Sequence, residues 1–144
     1  MAFTYQYPRP AVTADIVLID KNDCNLSVLL IQRKNPPYQN QWAFPGGFME
    51  MNETLIETAH RELFEETGVK NVKLTQFKTY DAIDRDPRHR TISTVFIGYF
   101  NKTSLVSAGD DALNAKWFSI NEIPPLAFDH ALILKDILSY ISQS

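Results

Sequence analysis

The sequence is poor in the features that mark several common protein classes. It holds one cysteine, Cys24, in 144 residues, which excludes an intrachain disulfide and a cysteine-based zinc site. That thiol stands in Asp20-Lys21-Asn22-Asp23-Cys24-Asn25, a polar stretch that reads as a turn, and it is expected to be a bystander. The N-terminal MAFTYQYPRP has no apolar run of signal-peptide length, and nothing later approaches the ~18 apolar residues of a membrane span. A cytoplasmic protein with no membrane partner is the expectation. Charge of one sign is also scarce: 14 basic against 17 acidic side chains leave −3, too mild for general binding to nucleic acid or an anionic bilayer. There is no repeat, low-complexity tract or linker to split the chain. What remains is 44% hydrophobic and 22% charged, a composition that builds an ordered core, and residues 1–144 are expected to form one domain.

Pattern places the elements. Ala11 to Ile19 and Ser27 to Arg33 are β-branched, apolar runs joined by the polar turn, which suits a hairpin. Trp42 to Phe44 is a candidate short strand before Pro45-Gly46-Gly47, read as a turn. Thr54 to Thr67 is rich in Glu, Leu, Ala and Arg, with Asn52 or Thr54 as candidate caps and Gly68 as its stop. Val72 to Tyr80 and Thr91 to Phe100 are expected strands, separated by a charged loop, and Lys116 to Ile120 is a short one. Asp129 to Ile141 carries Ile133, Leu134, Ile137, Leu138 and Ile141 on one helical stripe. Hairpins and helices alternate, so the economical fold class is α/β with a mixed sheet flanked by helices.

The acidic helix carries the chemistry. At ~100° per residue, Leu55, Ala59 and Leu63 share a core-facing arc, while Glu62 and Glu66 stack four residues apart and Glu65 lies further round the same side. Like charges at this spacing repel, and partial burial makes them resist ionising together. On the helix alone, a solvated acidic face and a cation site both fit. The Gly46-Gly47 turn favours the second, because it lets backbone approach a ligand and offer a carbonyl oxygen. An all-oxygen donor set suits Mg²⁺ or Mn²⁺ rather than zinc. Glu53 and Arg61, of opposite charge, tie the turn to the helix.

Gly47 to Val69, GFMEMNETLIETAHRELFEETGV, resembles the signature box of the Nudix hydrolases, with Gly47, Glu53, Arg61, Glu62, Leu63, Glu65, Glu66, Gly68 and Val69 at its specified positions. The resemblance extends to Leu29-Leu30-Ile31-Gln32-Arg33 and to Trp42 before Pro45-Gly46-Gly47. It implies an α/β/α sandwich around a mixed sheet, with hydrolysis of a nucleoside diphosphate linked to another group and Mg²⁺ or Mn²⁺ as cofactor. By position it makes Gly47, Glu62, Glu65 and Glu66 metal ligands, Glu65 or Glu66 the general base, and Glu53 and Arg61 braces of the catalytic loop. Some family members place the base on a later loop; Glu122, beside Ile123-Pro124, is expected to serve a turn instead.

Asp84-Arg85-Asp86-Pro87-Arg88-His89-Arg90 and Leu126-Ala127-Phe128-Asp129-His130 resemble stretches of one Nudix branch. That branch holds ADP-ribose pyrophosphatases, Nudix halves of bifunctional NAD-biosynthetic proteins, and related transcription regulators. The implied substrate is a small nucleotide, ADP-ribose, cleaved to AMP and ribose 5-phosphate; nucleoside triphosphates and a regulatory role are the alternatives. Arg33, Arg85, Arg88 and Arg90 are the candidate phosphate or ribose-phosphate contacts. His130 is expected to be structural, and Phe44, Tyr80 and Phe96 to be core. By family analogy a homodimer is possible to build through the aromatic lead-in. The charge is uneven: Gly47 to Val69 carries six glutamates and one arginine, while the remainder has 13 basic and 11 acidic residues.

Overall fold

The computed structural model describes residues 2–21, 25–101 and 112–143; Cys24 and most of its turn lie outside them. Seven strands and two helices follow in the order β1 (Ala11–Asp20), β2 (Ser27–Arg33), β3 (Trp42–Ala43), β4 (Gly46–Phe48), α1 (Leu55–Thr67), β5 (Leu74–Tyr80), β6 (Thr91–Tyr99), β7 (Ala112–Ser119) and α2 (His130–Ser142). One mixed sheet runs β3-β2-β1-β6-β5, with β4 added on β1 and β7 on β2. β1 and β6 are parallel, and the other pairs of strands are antiparallel.

The alternation of side chains along β1 explains the layers. Ala14, Ile16 and Leu18 pack with Leu29, Phe96 and the α1 residues Ala59 and Leu63. Val17 and Ile19 point the other way, against Val28, Leu30, Phe44 and the α2 residues Ile133, Leu134 and Ile137. A strand covered on both faces reads as a nearly continuous apolar run, and the result is an α/β/α sandwich. Each fully buried Leu or Ile contributes roughly 1.5–3 kcal/mol relative to exposure, so these stripes fix both helices to the sheet. No helix among the described residues is long and apolar enough to cross a membrane.

β1 and β2 pair only at Ile19–Val28 and Asp20–Ser27. Beyond that point β1 takes β4 as its neighbour, at Thr13–Phe48, Ala14–Gly47 and Asp15–Gly46, while β2 takes β3 at Ile31–Ala43 and Gln32–Trp42. The central strands therefore part, and a cleft opens where they do.

Two details differ from the sequence reading, and a third decides between its alternatives. Gly46 and Gly47 lie in strand β4 rather than in a turn, because pairing this close to β1 leaves no room for side chains: a Cβ at Gly46 would run into the Ala14 carbonyl and the Asp15 carboxylate. β7 starts at Ala112, earlier than Lys116, since it pairs along the length of β2. The cap of α1 is Thr54, whose hydroxyl accepts from the Glu57 N–H while Glu57 accepts from the Thr54 N–H.

Candidate active site

The cleft between the parted strands has a volume of about 530 Å³ and is lined from β1, β2, β4, α1, the β5–β6 loop and the start of α2. Its acidic wall is built by the loop and helix after β4. Arg61 is the organiser. Its Nε donates to Glu53 Oε2 at 3.0 Å and its Nη2 to Glu53 Oε1 at 2.6 Å. The same Nη2 donates to the Phe48 carbonyl at 3.0 Å, which ties the helix back to β4. Arg61 and the Glu50 N–H hold the Glu53 carboxyl down to about 2, with Thr58 also donating.

The three box glutamates do not share one environment. Glu62 and Glu66 line the cleft. Glu66 is 6% exposed, and its Oε1 accepts from the Gly46 N–H at 2.9 Å. Burial pushes its carboxyl well above the usual carboxylate range, and the neighbouring Glu62 adds to the rise. Burial also raises Glu62, even though Arg61 Nη1 donates to it at 2.6 Å. Glu65 is half exposed, with its carboxylate 3.3 Å from Arg61 Nη1, and it does not line the cleft. Among the described residues no three acidic, His or Cys side chains already converge as a chelate. Glu62 and Glu66 nevertheless fit a hard cation, being paired oxygen donors whose ionisation burial opposes. The Gly47 backbone lies against the Glu62 carboxylate, so closely that a Cβ there would strike it.

The opposite wall is cationic and aromatic. Arg33 ends β2; its Nε donates to the Pro37 carbonyl at 2.8 Å, and its guanidinium sits 4.9 Å from the Phe128 ring centroid. Burial and then the nearby Arg88 lower its pKa. No carboxylate lies within ion-pair distance of it among the described residues. Arg88 pairs with Asp86 through both side-chain oxygens, at 2.8 and 3.1 Å, and lies 5.5 and 5.7 Å from the Phe48 and Phe128 rings. Burial opposes ionisation of Asp86, but the Arg88 bonds prevail and bring it down to about 2. Arg85 is buried and forks onto Asp129 at 2.6 and 2.8 Å, joining the loop to the start of α2. Arg90 is not brought to the cleft: its guanidinium donates to the Asp81 and Ala82 carbonyls. Glu122 stands in the turn after β7, its N–H bonded to the Ser119 carbonyl.

Phe44, Tyr80 and Phe96 are buried in the core, as expected. Phe44 also reaches the cleft, where Phe48 at the end of β4 and Phe128 before α2 join it; neither of these two carries a periodic signal. Sequence reasoning also missed Asp15, a buried carboxylate on β1 that accepts from Ser93 Oγ. A charged residue inside AVTADIVLI, an otherwise apolar strand, was the available signal.

Oxygen donors on one wall and guanidinium groups on the other define a class of α/β/α domain suited to polyanionic phosphate esters. The NUDIX domain family matches residues 9–138, and the chain belongs to that family as a Nudix pyrophosphohydrolase. It is 42% identical over 134 residues to an ADP-ribose pyrophosphatase of Methanocaldococcus jannaschii, covering 93% of this chain and 76% of that one. It is 30% identical to the ADPR-responsive transcriptional repressor NtrR of Acinetobacter baylyi, over 95% of this chain and 56% of the repressor. Its fold superposes on the NUDIX domain of Shewanella oneidensis NrtR, solved with ADP ribose, with a TM-score of 0.87 at 28% identity, covering 94% and 90% of the two chains.

Proposed function

We propose that the protein hydrolyses the diphosphate bridge of ADP-ribose to AMP and ribose 5-phosphate, with Mg²⁺ or Mn²⁺ as cofactor. The reading is carried by one arrangement, the buried Glu66 and partly buried Glu62 facing Arg33 across a single cleft. The volume of that cleft falls in the range of small-molecule sites. The choice of ADP-ribose rests on the archaeal relative and on the ligand of the S. oneidensis domain.

Glu62, Glu66 and the Gly47 carbonyl would hold the cation, with Glu65 joining them only by leaving Arg61. When bound, the cation neutralises phosphate oxygens and lowers the pKa of a water. The protein's own groups do the rest. Arg33, which lines the cleft and has no carboxylate partner among the described residues, receives a phosphate oxygen. Arg88 is held by Asp86 and braced by two rings, so it presents its edge without losing further rotamer freedom. Arg85 acts indirectly, fixing the loop to α2. Glu66 lines the cleft and is the better placed of the two candidate bases to accept the proton of the attacking water. Arg61 and Glu53 keep the loop in register with the helix.

The test is incubation with Mg²⁺ and a panel of ADP-ribose, other ADP-sugars, dinucleotides and nucleoside triphosphates. Release of AMP and ribose 5-phosphate is expected. Turnover of another panel member without ADP-ribose overturns the substrate, and release of pyrophosphate from triphosphates marks a nucleotide-pool enzyme. A second reading, an ADP-ribose-responsive regulator, draws on the likeness to NtrR. Sequence-specific retention on DNA at physiological salt, without turnover, would favour it.

A further inference from the structure

Asp15 and His130 are two buried polar residues of the cleft that the mechanism above does not use. Asp15 is 8% exposed and His130 is 3% exposed, and both line the cleft. They reach it from different elements, Asp15 from the α2 face of β1 and His130 from the first position of α2.

The state of the histidine follows from its partners. The Phe44 backbone N–H donates to His130 Nδ1 at 3.1 Å, so Nδ1 carries no proton. Burial lowers the pKa and keeps the ring neutral, which places the single proton on Nε2. That N–H lies 3.8 Å from Asp15 Oδ2, beyond hydrogen-bonding distance. Among the described residues no other acceptor satisfies it. Asp15 Oδ2 accepts from Ser93 Oγ, which fixes the carboxylate and leaves further lone pairs open.

A fixed donor and a fixed acceptor thus stand one bridging atom apart. Two bonds of ~2.8 Å spanning that gap meet at roughly 85° on a single oxygen. The oxygen must accept from nitrogen and donate to a carboxylate, which a phosphate oxygen cannot do and a hydroxyl can. The seat adjoins the acidic wall, because Asp15 pairs in register with Gly46, whose N–H holds Glu66. The hydroxyls nearest a diphosphate bound there are those of its flanking riboses.

We propose that Asp15 and His130 form a hydroxyl seat in the cleft, where one ribose hydroxyl flanking the diphosphate accepts from His130 Nε2 and donates to the Asp15 carboxylate. This rests on the ADP-ribose reading and deepens it. The seat selects a sugar next to the bridge, and an analogue lacking the hydroxyl leaves a buried donor and acceptor unpaired.

Steady-state kinetics with Mg²⁺ test it, using ADP-ribose and two analogues, one deoxygenated at C2′ and C3′ of the adenosine ribose, the other at C2 and C3 of the terminal ribose. For the wild type, one analogue is expected to lose about tenfold or more in kcat/KM. Asp15→Asn, which can still accept from Ser93, should lose a similar factor on ADP-ribose and no longer discriminate against that analogue. His130→Gln restores a donor near Nε2, whereas His130→Asn keeps only the acceptor for the Phe44 N–H. A substrate role predicts that His130→Gln retains more activity than His130→Asn, and a structural role predicts the reverse. Equal kcat/KM for both analogues overturns the seat, and this arm needs no variant to fold. Loss of activity in His130→Gln with wild-type activity in His130→Asn also overturns it. Failure of the wild type to cleave ADP-ribose, with turnover of another panel member, overturns the substrate reading and the seat with it.

Discussion

On one wall of the cleft, Glu66 is buried beside the partly buried Glu62 and the carboxyl pKa values of both rise; on the other, Arg85 and Arg88 each meet an aspartate and Asp86 falls to about 2. The acidic wall contains both behaviours within a few residues. Glu53, bracketed by Arg61, also falls to about 2. In Glu53 and Asp86 the bracing arginine comes attached to the carboxylate, and the pKa drops. Among the described residues Glu66 accepts from one backbone N–H and from no arginine, so burial beside Glu62 raises its pKa instead. Arg33 is its counterpart on the basic wall, a half-buried cation bonded only to a carbonyl among the described residues. The unbalanced groups on each wall mark where ligand charge is to arrive.

Removing the least compensated carboxylate should have the largest effect. Glu66→Gln keeps an oxygen for the Gly46 N–H, so the fold is expected to hold, while kcat falls roughly 10²–10⁴-fold, the range for losing a group that acts on a reacting proton. Activity within a few-fold of wild type would contradict the assignment. Glu65→Gln, on the Arg61 side, should lose less; an equal loss would show that Glu65 swings into the cleft during turnover.

The adjacent glycines separate architecture from chemistry on that same wall. A Cβ at Gly46 meets backbone atoms of Ala14 and Asp15 as well as the Asp15 carboxylate, whereas the atoms nearest one at Gly47 all belong to the end of the Glu62 side chain. Gly46→Ala must force β4 from β1 and is expected to destabilise by about 1–3 kcal/mol or more, which lowers the melting temperature by roughly 2–4 °C for each kcal/mol. Gly47→Ala can be absorbed by moving the Glu62 carboxylate, so stability should stay near wild type while activity drops by an order of magnitude or more. Melting curves and rates on the two variants check both. Matching stability losses would mean that Glu62 cannot yield.

How far the sequence revealed this site follows from periodicity. The core stripe Leu55, Ala59 and Leu63 and the stacking of Glu62 with Glu66 are both helical geometry, and both were legible. The separation of Glu65 was not, because it depends on Arg61 choosing among several carboxylates in three dimensions. Strand β4 was hidden because Pro-Gly-Gly signals a turn locally, while its pairing with β1 is a contact between residues more than 30 positions apart. Among the four candidate arginines, spacing in one loop gave no means of knowing that Arg90 turns back to its own backbone. Phe48 and Phe128 lie in loop or edge positions without a pattern, and Phe128 adopts a φ of 54°, a conformation no propensity would assign to it.

Those arginines give a smaller test of the basic wall. Arg33→Ala removes a charge-assisted contact worth about 1.5–3 kcal/mol, so KM for ADP-ribose should rise roughly 10- to 150-fold. Arg90→Ala loses two bonds to loop carbonyls and should change KM by no more than about twofold, with a modest fall in stability. Equal KM effects would mean that the loop from Asp81 to Arg90 rearranges around substrate.

The smallest effect is expected from acid, and it isolates the braced carboxylate of the basic wall. Asp86 has an ordinary carboxyl pKa of ~3.9 when unfolded and about 2 when folded, because Arg88 bonds overcome the burial that opposes ionisation. Between those values the unfolded chain binds the proton first, so stability falls as pH falls. The contribution is fully present above about pH 4 and is lost as pH drops through about 2. Asp86→Asn lacks this step. Urea unfolding of both proteins should therefore show a gap that is widest above pH 4 and narrows toward pH 2. Glu53 titrates over the same window in both proteins, so only the gap reports Asp86. A gap that stays constant from pH 6 to pH 2 would show that the neutral shape of Asp86 matters there, not its charge. The contrast between braced and unbraced carboxylates would then hold for the acidic wall alone.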